Sequence, residues 1–238
     1  MRPNRRAMTV ALLAAMTSFG AVAGDGIEAT SGNLGEELKI AYELCKNDRF
    51  AGRCVEAYQL KRYPKVRRNG NRLMIGLADG QHVVLTDNVA DSGDSVAYSF
   101  YGAFLGNFLV LVHLYEGSEY LAIHGRSGKK YFVHGWPVVS PDQRRFVTTS
   151  LDITSGYNAN AVQVWRVDPD QLVLEWSLEP GANWGPSDAW WLGNDVVQFM
   201  RNEHEEVNGE VRDINRYVQH PLTLKRAGQS WKLTDHRQ

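Results

Sequence analysis

The stretch PVVSPDQRRFVTT (Pro137–Thr149), followed after one loop by AVQVWRVD (Ala161–Asp168), decides how this chain is read. Ser140-Pro141-Asp142-Gln143 is a tight-turn sequence. Proline presets φ for the turn, and the aspartate side chain accepts from the backbone amides that follow. Trp136–Val139 before the turn and Arg145–Ser150 after it are rich in valine, phenylalanine and threonine, so both read as short strands, and Ala161–Val167 as a third.

The same alternation extends in both directions. Upstream, Arg72–Leu77 and Gln81–Thr86 flank Ala78-Asp79-Gly80, a hairpin signal. Val96–Leu105 and Phe108–Tyr115 flank Gly106-Asn107, and Glu119–His124 and Lys130–His134 follow. Downstream lie Leu172–Leu178, Ala189–Leu192, Val196–Arg201, Ile214–His220, Leu222–Lys225 and Ser230–Leu233. Short strands with turn chemistry between them mark an all-β chain. Grouped in fours they form units near Val96–His134, Gly135–Glu179 and Gly181–Lys225, roughly the length of a propeller blade. Each unit opens on a strand and a tight polar turn, at Leu105-Gly106-Asn107, Ser140–Gln143 and Leu192–Asp195. The first two share a late hairpin, at Gly125–Lys129 and Val167–Asp170.

The quoted stretch resembles the Ser-Pro-Asp-Gly type repeat of TolB-like β-propellers, in which this turn joins the first two strands of a blade and the next strand reads like AVQVWRVD. Gln143 stands where that family has glycine. The resemblance is close over about 35 residues and loose over about 130, and it implies a fold rather than an activity. The expected fold is all-β: a small propeller-like stack of antiparallel sheets with one N-terminal helix, an irregular β-sandwich being the alternative. The stretch from Val55 onward holds about four to five units of blade length.

That helix is expected over Asn33–Asn47, with Asn33 as its N-cap and Leu34, Leu38, Ala41, Tyr42 and Cys45 on its apolar face. Cys45 and Cys54 are separated by eight residues and read as a structural disulfide worth about 2–3 kcal/mol. A redox pair would want C-x-x-C spacing.

The first 23 residues carry Arg2, Arg5 and Arg6, an apolar run Ala7–Ala23 and a final Ala21-Val22-Ala23. These are the parts of a cleaved secretory signal, with cleavage expected between Ala23 and Gly24. The paired Arg5-Arg6 leaves Sec and twin-arginine export both open. The chain thus divides into a signal (1–23), a leader, helix and disulfide segment (24–54) and a β-propeller-like domain (55–238). It is expected to be exported, to the periplasm or fully secreted, with no membrane span in the mature chain. Without the signal arginines the chain has an acid excess of about four, which argues against nucleic acid as a partner. The basic run Lys61–Arg68 reads as a solvated strand edge.

No catalytic motif, metal-ligand spacing or phosphate loop is present, so catalytic residues, metal ligands and cofactors are all expected to be none. His113, His124, Tyr115, Tyr120 and Tyr131 fall on one sheet face if Gly117-Ser118 makes the turn, which would set His113 opposite Ala122. Trp184, in a loop of turn formers beside Asp188, offers an aromatic face for a sugar or an apolar side chain. The polar loop Leu151–Asn160 adds Asp152, Tyr157 and Asn158 as candidate ligand-binding residues. The leading functional expectation is an exported, non-catalytic binding or interaction module of the cell envelope, with an envelope protein or glycan as partner. The alternative is a carbohydrate-binding protein or glycoside hydrolase.

Overall fold

The computed structural model describes residues 34–48, 51–90, 93–207, 210–211, 213–214 and 216–235. The signal segment, its cleavage site and the Asn33 cap lie outside these residues.

Among the described residues two helices, α1 (Leu34–Cys45) and α2 (Ala51–Leu60), precede seventeen strands. Sheet A comprises β1 (Val66–Asn69), β2 (Arg72–Gly76) and β3 (His82–Thr86) in that order. Sheet B comprises β4 (Val96–Phe104), β5 (Asn107–Leu114), β6 (Ser118–His124) and β7 (Lys130–Val133). Sheet C comprises β8 (Val138–Val139), β9 (Arg145–Ser150), β10 (Ala161–Val167) and β11 (Leu172–Leu178). Sheet D orders β12 (Gly185–Trp191), β13 (Val196–His204), β16 (Tyr217–Ala227) and β17 (Ser230–Asp235). A short ribbon of β14 (Glu206–Val207) and β15 (Glu210–Val211) caps the β13–β16 connection. Every pairing among them is antiparallel.

The chain is therefore an all-β stack of antiparallel meanders, and the three expected units correspond to sheets B, C and D. The third unit runs on to Asp235 because Ile214–His220 and Leu222–Lys225 do not form two strands. Residues from Tyr217 to Ala227 make one strand through Pro221. Pro221 lies opposite Met200 of β13, and the described pairing with β17 begins at Leu222.

Three apolar layers alternate with the sheets. Leu73 and Ile75 of sheet A meet Phe100, Phe108 and Val110 of sheet B. Sheet B's other face, with Tyr101, Phe104 and Leu111, meets Leu38, Ala41 and Val55 of the helices and Phe146 and Trp165 of sheet C. Sheet C's far face, with Val147, Val162 and Val164, meets Phe199, Leu222 and Leu224 of sheet D. Sheets B and C are covered on both faces. This is why β5 reads NFLVLVHL, with six consecutive buried residues, while β13 in sheet D alternates. Phe146 stands edge-on to Phe104 at 5.0 Å and stacks on Trp165 at 6.2 Å, joining the two middle sheets.

Two further expectations are corrected. One helix was expected, with the β region opening near Val55, but α2 occupies Ala51–Leu60. A helix of this length is marginal alone. It is held by the Cys45–Cys54 disulfide, with Cα atoms 5.7 Å apart, and by packing on β4. Second, the β5–β6 turn is at Tyr115-Glu116, closed by Leu114 N–H to Gly117 O at 2.8 Å. His113 therefore pairs with Ser118, not Ala122. The shift is an even number of residues, so His113, Tyr120, His124 and Tyr131 still share a face. His113 and His124 sit at opposite ends of it, and Tyr115 is in the exposed turn.

Candidate functional site

The loop Leu151–Asn160 is organised around Asp152. Its Oδ1 accepts from Ser155 N (2.9 Å), Ser155 Oγ (2.7 Å) and Gly156 N (2.9 Å). Its Oδ2 accepts from Asn158 N (2.8 Å) and Nδ2 (3.2 Å). Burial alone would raise the Asp152 carboxyl, but these bonds outweigh it and hold it well below the usual carboxylate range. Asn158 Oδ1 in turn accepts from Ser118 N at 2.8 Å, tying the loop to sheet B. Asn160 Nδ2 donates to Gly181 O and to Trp184 O, at 2.5 and 2.8 Å, tying it to the entry of sheet D. The approach is close enough to require glycine. A Cβ at Gly117 would lie 2.7 Å from the backbone oxygen of Tyr157.

Trp184 is half-buried against the sheet C–D layer, with the Arg201 guanidinium 4.9 Å from its ring centroid. Asp188 is exposed at φ +47°, beside the bulge in β12, and accepts from Ser187 Oγ at 2.6 Å. Tyr157 is exposed. The structure thus brings Asp152 and Asn158 into contact and sets their loop on the Trp184 backbone. The polar groups of Asp152 and Asn158 are used in holding the loop and in joining three sheets.

A cavity of about 660 Å³ lies elsewhere, between α2 and the sheet A–sheet B junction. Its polar walls are Glu56, Arg68, Asp87, Ser99 and His113, and Ala57, Leu60, Val89, Ala97 and Tyr98 supply apolar surface. Arg68 organises it. Its Nη2 donates to Glu56 Oε1 (2.8 Å) and to Tyr98 O, and its Nη1 to Asp87 Oδ2 (2.9 Å). Glu56 Oε1 also accepts from Phe100 N (3.0 Å), and Asp87 Oδ1 from Tyr98 N (2.9 Å). Ser99 Oγ and His113 Nε2 are 3.0 Å apart. Burial pushes the His113 imidazole below its ordinary value, against the opposing pull of Glu56 and Asp87. A second polar basin, of about 530 Å³, lies among the turns of sheets C and D. Two of its lining arginines hold Glu175, which accepts from Arg145 Nε (2.8 Å), Arg166 Nε (3.1 Å) and Trp231 Nε1 (3.1 Å) and braces sheet C to sheet D.

Sequence reasoning missed the α2 cavity, because its polar residues come from a helix and four strand or turn segments spread between positions 56 and 113. One signal was present. Read as a helix, AGRCVEAYQL places Glu56 and Gln59 beside Val55 on the buried stripe, where polar residues are uncommon. The basic run Lys61–Arg68 is exposed at Lys61, Arg62, Lys65 and Arg67, but Arg68 turns inward.

No group of histidine, cysteine and acidic side chains suited to a metal ion occurs among the described residues. No helix among them is long and apolar enough to cross a membrane. Compared with known proteins, the chain matches no family model, no curated protein and no solved structure.

Proposed function

We propose that this chain is an exported binding module of the cell envelope, non-catalytic, whose ligand sits in the cleft between α2 and sheets A and B. The observation that carries the reading is the cleft itself. Its size falls in the range of small-molecule sites, and its charged walls are held in place by hydrogen bonds before any ligand arrives. Binding is favoured over turnover because Glu56 and Asp87 bond to Arg68 and to backbone amides. Neither hydrogen-bonds the His113 imidazole, so the Ser99–His113 pair lacks the orienting acid of an acyl-transfer triad. Export follows from the Met1–Ala23 leader and accords with the Cys45–Cys54 disulfide. The TolB-like repeat belongs to the same proposal as the origin of the stacked units.

The test is to recover the protein from the envelope of its own cells, read its N-terminus, and weigh it by native mass spectrometry. The wild-type chain and Ala57→Trp, which fills the cleft from an exposed helix position, are compared. A chain beginning at Gly24 with a bound molecule that Ala57→Trp lacks supports the reading. Equal ligand content in the two proteins, or an intact leader, sinks it.

A further inference from the structure

The cleft also carries a statement about ligand chemistry, which rests on its being the binding site. The Glu56 side chain is only 8% exposed. Its Oε1 takes both hydrogen bonds that the carboxylate receives, from Arg68 and from Phe100 N–H, and Oε2 has no partner among the described residues. Oε2 is thus the carboxylate oxygen left open to the cleft, and a ligand N–H placed there would give it a charge-assisted hydrogen bond.

Charge points the same way. One guanidinium answers two carboxylates, since Arg68 serves both Glu56 and Asp87, so this cluster holds one more acid than base. The exposed Arg53 also lines the cleft. Burial lowers the His113 imidazole below its ordinary value, against the pull of Glu56 and Asp87. An anion entering the cleft meets a guanidinium three of whose five N–H donors are committed to Glu56, Asp87 and Tyr98 O, and whose Nε–H is fully buried. Around the acid the walls are aliphatic, from Ala57, Leu60, Val89 and Ala97.

We propose that the cleft binds a primary ammonium carried on an apolar chain, with the ammonium donating to Glu56 Oε2 and the chain lying along the Ala57–Leu60 side of α2. A free alkylamine and a lysine side chain of an envelope partner share this chemistry.

The test uses four probes of similar length on the exported chain: n-hexylamine, Nα-acetyl-lysine N-methylamide, hexanol and hexanoate. Affinities come from calorimetry, and the site from NMR shifts of the Ser99 and His113 signals. The expected result is that at least one of the two ammonium probes binds at the cleft, about tenfold or more tightly than hexanol, with hexanoate weakest. Glu56→Gln should erase the preference for the amine over hexanol. Because Glu56 also partners Arg68, Ala57→Trp provides a control that leaves that pair intact, and it should abolish binding of every probe. Preference for the lysine derivative assigns a partner's side chain, and preference for hexylamine a free amine; either supports the proposal. Equal affinity for hexylamine and hexanol, or tighter binding of hexanoate at the cleft, overturns the ammonium assignment and leaves the cleft standing as a site. If no probe binds, the assignment falls. The bound molecule sought by native mass spectrometry then decides separately whether the cleft falls with it.

Discussion

Arg68 Nη2 donates to Glu56 Oε1 at 2.8 Å, so the first strand of the chain is fastened to its second helix through a carboxylate that is nine-tenths buried. The same guanidinium reaches Asp87 at the exit of β3. Removing it leaves two acids facing each other without a cation. Arg68→Ala should lower stability by about 3–5 kcal/mol. Arg68→Lys should recover only part of that, because an ammonium lacks the fork that serves three acceptors. Urea unfolding of the three proteins measures this, and a near-neutral Arg68→Ala would show that the cluster is not the brace described.

Two histidines should bend the pH dependence of stability in opposite directions. The hydrogen bond that His134 Nδ1 donates to Glu119 Oε2, at 3.1 Å, raises His134 above its ordinary value of 6.5, against its burial. A raised histidine stabilises fully below its unfolded pKa, and the contribution is lost as pH rises through the folded value. His113 is lowered by burial, so it costs stability as pH falls below the ordinary value. Glu119→Gln removes the first effect and leaves the second. Between about pH 8 and about pH 5.5 its urea midpoint should fall more steeply than that of the wild type. A parallel or shallower fall would remove His134–Glu119 as the source.

Gln59 is completely buried on α2, and neither its Nε2 nor its Oε1 has a hydrogen-bond partner. Methionine has a similar volume and no polar demand. Gln59→Met should therefore stabilise the fold by about 1–2 kcal/mol, raising the thermal midpoint by about 2–4 °C per kcal/mol. A lower midpoint would mean that the amide does have a partner in solution.

Gln143 closes the β8–β9 turn at φ +58°, in the left-handed region, with its N–H on Ser140 O at 2.9 Å. A side chain costs about 1 kcal/mol there, and a β-branched one more. Stability should rank Gly above Gln and Gln above Val at this position. Thermal melts of Gln143→Gly and Gln143→Val check the order, and a stable valine variant would contradict the turn geometry.

Asp152 should act on the loop before it acts on any ligand. Asp152→Ala should speed amide exchange at Ser155, Gly156 and Asn158 and cost about 1–2 kcal/mol. With a carboxyl held below its ordinary value of 3.8, the wild-type loop contributes stability above that value and loses it as pH falls further. Unchanged exchange at those three amides would show that the loop is held by other contacts.

Much of the strand framework is legible in the sequence. Arg145–Ser150, Ala161–Val167 and Leu172–Leu178 are found with the bounds their composition implies. The turns around Gly106 and Ser140–Gln143 are also in place, because glycine, proline and aspartate act on their own neighbours. The helix α2 was less visible, since its ten residues carry a weak apolar stripe and depend on β4 and the disulfide. The β5–β6 register was misread because Gly117 looks like a turn residue. It is glycine for another reason, the approach of Tyr157 O from a loop forty residues away in sequence.

The sequence by itself determined the all-β class, the four-stranded units of sheets B and C and the cysteine pairing. Each of these follows from period, turn chemistry or spacing within a short stretch of chain. Only the tertiary structure decided where the polar groups meet. It drew Asp152 and Asn158 into a brace between sheets, and it gathered Glu56, Arg68, Asp87, Ser99 and His113 around one cavity. Their encounter is a consequence of how sheets A and B and α2 stack. Stacking is governed by which faces bury apolar surface, and local sequence carries no record of which distant polar residue will lie on the other side.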